Sequence, residues 1–174
     1  NYTGVALSSS GVVVGGTSPG EGNRISFNSS RAIAVSSGTG NLLRLNVMEG
    51  NAFGIDLGLD EATANDAGDP DTGPNNRQNS PVLSSVVIDA GGRLRARYSV
   101  DSLPGNSTYP IAVDFYEKGV HPSLQGKAYL GSDLFTEADR AAGVPKDVDL
   151  GPAAGMGLEA GEWVVATATD AASN

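Results

Sequence analysis

The chain has 174 residues, enough for one domain or two small ones to bury a core without covalent staples; it has no Cys, which excludes disulfides, thiolate metal sites and Cys nucleophiles. Its formal charge of -9 argues against nucleic acid and anionic membrane surfaces as partners, since both are held through clustered Lys and Arg. No stretch approaches the roughly 20 apolar residues that span a bilayer, and 24 Gly with 6% aromatic residues, beside many Val, Ser, Thr and Ala, predict a turn-rich all-β chain.

Starting at Asn1 with neither Met nor a signal peptide, the sequence reads as a processed or excised piece of something longer, or as an arbitrary boundary within it. Residues 1–58 repeat themselves. Gly4-Val5-Ala6-Leu7, Ala32-Ile33-Ala34-Val35 and Gly54-Ile55-Asp56-Leu57 are three versions of one small-residue step followed by an alternating strand. The last two copies are 22 to 23 residues apart, with Asn28 and Asn51 ahead of them at matching places. Such a period, in short strands punctuated by Gly and Asn, predicts the turns of a parallel β-helix with Asn28 stacked over Asn51. Val12 to Val14, Asn23 to Phe27 and Leu42 to Met48 supply the other faces. An antiparallel meander is the alternative, but no two-residue Asn-Gly or Asp-Gly turn joins these strands.

Residues 59–80 form an acidic junction. Between Arg44 and Arg77 there is no basic residue, and Asp60 to Asn76 holds four Asp, one Glu and three Asn, kinked by Gly and Pro. Hard oxygen donors gathered in this way predict a structural Ca2+ bound by Asp60, Asp66, Asp69 and Asp71, with help from Asn65, Asn75, Asn76 or backbone carbonyls. The segment is not an EF-hand, since Ser80 stands where the bidentate Glu is expected. A solvated acidic linker is the plainer reading, and Asp69-Pro-Asp71-Thr-Gly73 is also good turn chemistry.

From Pro81 to Asn174 the period becomes two. Val82 to Asp89, Arg93 to Asp101, Tyr109 to Glu117, Ala128 to Glu137 and Glu162 to Asp170 alternate or run apolar between Gly- and Pro-rich turns, which predicts an antiparallel sandwich. Leu94, Ala96, Tyr98 and Val100 share one core stripe, and Ile111, Val113 and Phe115 another. Thr136 to Gly143 is a short helical turn with Thr136 as its cap.

Val14-Gly15-Gly16-Thr17 through Asn28 resembles the repeat of bacterial secreted right-handed parallel β-helix proteins, and Gly54 through Leu83 is similar to the stretch that ends such helices. In that family the acidic stretch leads into an Ig-like β-sandwich whose closing strand resembles Val164 to Asp170. The resemblance implies the last turns of a β-helix, then an Ig-like sandwich, in a protein secreted or displayed at a bacterial cell surface. The helix shown by Thr136 to Gly143 departs from the family there, where a further strand is usual.

The residues with chemistry point the same way. Arg24, Arg31 or Arg44 could be cast as the base of a polysaccharide lyase, and Glu49 with Asp56 as a glycosidase pair, but a lyase cleft needs more turns than are present. His121, the only His, reads as a surface-loop residue. Trp163 reads as sandwich core, Tyr2 as packed, and Tyr116 and Tyr129 as an outward, modest carbohydrate-stacking surface. The expectation is a non-catalytic structural or adhesive extracellular module, stabilised by calcium, whose partners are the rest of a longer β-helix chain or neighbouring subunits. A polysaccharide-binding or lyase-like module is the alternative.

Overall fold

The computed structural model describes residues 1–119, 124–158 and 161–174. His121 lies outside the described residues. The chain is all-β, with one short α-helix and two 3-10 turns, Pro74–Arg77 and Ala153–Gly155, among the described residues. Its first part holds seven short strands: β1 (Val5–Leu7), β2 (Val13–Gly15), β3 (Arg24–Ser26), β4 (Arg31–Val35), β5 (Leu42–Arg44), β6 (Val47–Glu49) and β7 (Phe53–Leu57). These strands pair in parallel, each with the strand three places on: β1–β4–β7, β2–β5 and β3–β6. The chain therefore winds through three strands per turn rather than forming a meander. The register follows the sequence repeat, stacking Val5 on Ile33 on Ile55 and Leu7 on Val35 on Leu57. Ile25, Ile33, Val35, Leu43 and Met48 fill the centre of this stack.

The run Leu42 to Met48, expected as one face, is two strands at an angle. Leu45 takes a φ of 61° and turns the chain between β5 and β6. Buried Asn side chains then close the corners. Asn51 Oδ1 accepts from Asn28 N and Nδ2 at 3.0 and 2.9 Å, as the repeat predicts. Asn46 Oδ1 does the same for Asn23, with both bonds at 3.0 Å. At a third corner Asn41 Oδ1 accepts from Val12 N at 2.9 Å, and Asn75 Oδ1 accepts from Asn41 Nδ2 at 2.9 Å. A left-handed residue precedes several of these Asn: Phe27, Gly40, Leu45 and Gly50 all have positive φ. At Gly50 the stack itself demands the missing side chain, because a Cβ there would sit 2.6 Å from the Phe27 ring.

The second part comprises β8 (Val82–Ile88), β9 (Arg93–Ser99), β10 (Ile111–Lys118), β11 (Gly126–Phe135), α1 (Glu137–Ala141), β12 (Lys146–Pro152) and β13 (Val164–Thr169). Two antiparallel sheets, ordered β12–β9–β8 and β11–β10–β13, share one core. Both expected stripes are buried in it, with Tyr98 edge-on to Phe115 at 5.3 Å. The helix begins as its sequence dictates, with Thr136 and Asp139 capping each other's backbone.

Strand β12 was not among the expected strands. Val148 and Leu150 pack on the sandwich core, while Asp147 and Asp149 turn outward to ion pairs with Arg97, Arg93 and Arg95 of β9. Three aromatic expectations are also corrected. Trp163 is 73% exposed rather than core, Tyr2 is 70% exposed rather than packed, and Tyr116 is buried against Tyr129 rather than outward.

Polar contacts join the two parts. Gln125 continues the Asn28–Asn51 ladder, its Oε1 accepting from Asn51 Nδ2 at 2.7 Å. Arg44 donates two hydrogen bonds, at 2.8 and 2.7 Å, to the fully buried carboxylate of Asp114 on β10.

Candidate metal centre

Residues 59–80 connect β7 to β8, and their backbone is unusually bent. Leu59, Glu61, Asp69, Asn75, Asn76 and Arg77 all have positive φ, the last three in succession. Short polar side chains tolerate this conformation best, which suits Asp69, Asn75 and Asn76 to their places. One result is that the Asn75 side chain is delivered to its ladder. A second is that Asp66, Asp69 and Asp71 converge, each offering a carboxylate oxygen within 4.8 Å of the others.

The other predicted ligands are engaged elsewhere. Asp60 is exposed and bonded to Arg77 at 2.8 Å, which holds its carboxyl below the usual carboxylate range. Asn65 caps Ser80, accepting from Ser80 N at 2.9 Å and donating to Ser80 O at 2.8 Å. Asn75 belongs to the Asn41 ladder, and Asn76 sits in the left-handed turn beside it.

The triad is held from several sides. Asp69 Oδ1 accepts from Asn79 N at 3.1 Å, and its Oδ2 from Gln78 Nε2 at 2.6 Å and Ser107 Oγ at 3.2 Å. Asn79 ties the loop to the sandwich, donating through Nδ2 to Asp66 O and Asp101 O at 2.8 and 2.7 Å. Gln78, Asn79 and Ser107 escaped the sequence reading. They lie just beyond the acidic run or far from it, and only the fold brings them beneath Asp69.

Charge at the triad is unfavourable as it stands. Burial pushes the Asp69 carboxyl above its ordinary range, and the neighbouring Asp71 adds to this, against hydrogen bonds from Ser102, Asn79 and Ser107. Asp71 is raised by burial and then by the charge of Asp66. Asp66 Oδ1 and Asp71 Oδ1 are buried without a hydrogen-bond partner among the described residues. Buried carboxylate oxygens that lack donors and face like charges are stabilised by a cation. The donor set is all oxygen and carries no Cys or His, which fits a hard divalent ion such as Ca2+ and not Zn2+.

The residues nominated for catalysis have other partners. Arg24 bonds Glu49 at 3.0 Å, Arg31 bonds the buried Asp56, and Arg44 bonds Asp114. The hydrogen bonds that Arg31 and Arg44 donate to Asp56 and Asp114 raise the pKa values of both Arg side chains, the direction opposite to what a proton-abstracting base requires.

No protein-family model, no curated protein and no solved structure matches this chain.

Proposed function

We propose that the chain is a non-catalytic structural or adhesive module of a secreted or surface-displayed bacterial protein: the closing turns of a right-handed parallel β-helix, sealed by an Ig-like β-sandwich, with Ca2+ at their junction. The observation that carries this reading is the asymmetry of the three-strand stack. At one end its Asn ladders finish on Asn75 and Gln125, which lie outside the stack. At the other end β1 pairs, among the described residues, on one side only, so its second edge offers parallel hydrogen bonds to a further turn of a longer chain or to a neighbouring subunit. The resemblance of the repeat and of the acidic stretch to secreted β-helix proteins supports the same assignment. So does the pairing of each candidate basic residue with a carboxylate.

In the calcium site Asp66, Asp69 and Asp71 would supply three carboxylates, and backbone carbonyls of the bent loop the remaining oxygens. Calcium there would neutralise the triad and fix the loop against Asp101 and Ser107. The role is mechanical, because the ion holds together two packed parts.

Thermal unfolding with excess Ca2+ and with EDTA tests the site, since an ion bound only to the folded state raises Tm by mass action. The wild-type chain gains stability in calcium, and the variant combining Asp69→Ala with Asp71→Ala does not; equal gains in both would remove the assignment. Incubation with acidic polysaccharides tests the absence of catalysis. Growth of the absorbance of an unsaturated uronate would replace the structural role with a lyase.

One observation favours the second reading, a polysaccharide-binding module: Trp163 is 73% exposed. An exposed indole stacks on sugar rings. Titration with neutral and acidic glycans should quench its fluorescence, and an unchanged spectrum removes that reading.

A further inference from the structure

The sandwich has four sheet edges, and the sequence treats them in two ways. Strands β11 and β12, on one side, carry Lys127, Asp133, Lys146, Asp147 and Asp149, together with Pro152 and register breaks at Phe115/Tyr116 and Asp149/Gly151. Charge, Pro and bulges are the usual means of keeping an edge from pairing with another strand. Strands β8 and β13, which face each other on the opposite side, have the sequences Val-Leu-Ser-Ser-Val-Val-Ile and Val-Val-Ala-Thr-Ala-Thr, without a charged residue or a Pro.

Two adjoining cavities run along that unguarded side. The larger, of about 400 Å³, is bounded by all six residues of β13, by Leu83 of β8 and by Ile55 and Leu57 at the end of the stack. Among the described residues no Asp, Glu, Lys, Arg or His lines it. The smaller, of about 290 Å³, continues past Val164 to Trp163 and Glu162, between β8 and the residues that lead into β13. Strand β13 pairs only with β10, so the N–H and C=O groups on its other side point into this space, and no hydrogen bond among the described residues uses them. A channel bordered by free strand backbone, its larger part walled by uncharged side chains, has the complement of an extended strand.

We propose that an extended, uncharged peptide segment of another protein chain adds to the free edge of β13. Main-chain hydrogen bonds to Val164–Thr169 supply affinity, and alternate apolar side chains of the segment enter the cavity over Leu83, Ile55 and Leu57. Charge sets the selectivity. The larger cavity has no charged side chain in its lining among the described residues, and Glu162 lines only the smaller one, so a segment rich in acidic or basic residues would leave its charges over Leu83, Ile55 and Leu57 without a counter-ion. The proposal is independent of the calcium site and of the open edge of β1.

The experiment uses the whole chain and a synthetic peptide of alternating Thr and Val, tagged with fluorescein through a Gly-Ser linker and followed by anisotropy. Binding saturates at one peptide per chain, and hydrogen exchange of the Val164–Thr169 amides slows. Two further peptides carry N-methyl groups on alternate residues, one peptide in each phase. Only one set of amides can face β13, so one methylated peptide binds at least about tenfold more weakly and the other retains affinity. Equal binding of both would show an apolar cavity indifferent to backbone and overturn the proposal. So would a failure to saturate, or sedimentation showing that the peptide-free chain already pairs this edge with a second copy and excludes the peptide.

Discussion

Asp69 and Asp71 hold carboxyls that burial and neighbouring negative charge push toward the protonated form. An acid whose pKa is higher in the folded than in the unfolded state binds more protons folded. In calcium-free buffer its contribution to stability therefore grows as pH falls through the raised pKa, and is lost as pH rises from the ordinary carboxylate value through the raised one. Asp60, held low by Arg77, has the opposite sign, so the triad is best isolated by a variant. Asp71→Asn removes one of three converging charges at nearly constant volume. At neutral pH in EDTA it should melt about 2–4 °C above wild type, the shift that about 1 kcal/mol produces in a chain of this size. The difference should shrink as pH falls, because wild type becomes neutral at the same place. In excess calcium the order should invert, since the variant has lost a ligand. Melting curves across pH in both buffers check all three, and an Asp71→Asn variant that melts below wild type in EDTA would show that the triad is not strained.

At the level of elements, the corner ladders set how firmly the stack is held. Asn51 is fully buried, and its side chain satisfies Asn28 N, Asn28 Nδ2 and Ile25 O at once. Asn51→Ala takes the acceptor from buried Asn28 N and one bond each from Asn28 Nδ2 and Ile25 O, and should cost about 1–3 kcal/mol, the range for a buried polar group left without its partner. Asn23→Ala is the control. Asn23 is exposed, and without its side chain Asn46 Oδ1 still accepts from the Asn23 backbone at 3.0 Å, so the change should stay within about 0.5 kcal/mol. Urea unfolding midpoints at unchanged m-value measure both. The Asn28–Asn51 rung was legible because it repeats at a fixed period. The Asn41–Asn75 rung was not, since Asn75 reaches its place through three left-handed residues outside the repeat. The corner at Leu45 was hidden for a similar reason: Leu at positive φ has no signature in an apolar run. The core stripes on β9 and β10 were visible because period two survives wherever one face is buried. Strand β12 hid its alternation behind Asp, a poor strand former that is acceptable here only because Arg lies opposite on β9. Trp163 precedes the apolar Val164-Val165, which suggests core, yet it is exposed and lies just before β13 begins. Of the seven candidate ligands the acidic run offered, composition could not separate the converging Asp66, Asp69 and Asp71 from Asp60, which Arg77 neutralises.

On the scale of the whole molecule, the two parts share polar groups that neither could satisfy alone. Asp114 is fully buried on β10, and its charge is met by Arg44 of β5, with a further hydrogen bond from Ser132 Oγ at 2.5 Å. Taking two charges out of water is costly, so the pair contributes specificity of docking more than net stability. Breaking it is another matter. Arg44→Leu strands a buried carboxylate and should cost about 3–5 kcal/mol, whereas Arg44→Leu combined with Asp114→Leu should recover most of that loss, because no unpaired charge remains. Gln125 makes a second such link, closing the ladder above Asn51. With both links intact, unfolding either part exposes buried polar groups of the other, which predicts one calorimetric transition whose enthalpy equals the van't Hoff value. Combining Arg44→Leu, Asp114→Leu and Gln125→Ala removes these two links, leaving the Gly40 to Asn174 hydrogen bond and each hydrophobic core in place. That variant should melt in two steps, the separation between them measuring the coupling; a single unchanged transition would mean that apolar contact between stack and sandwich, and not these polar links, makes the molecule cooperative.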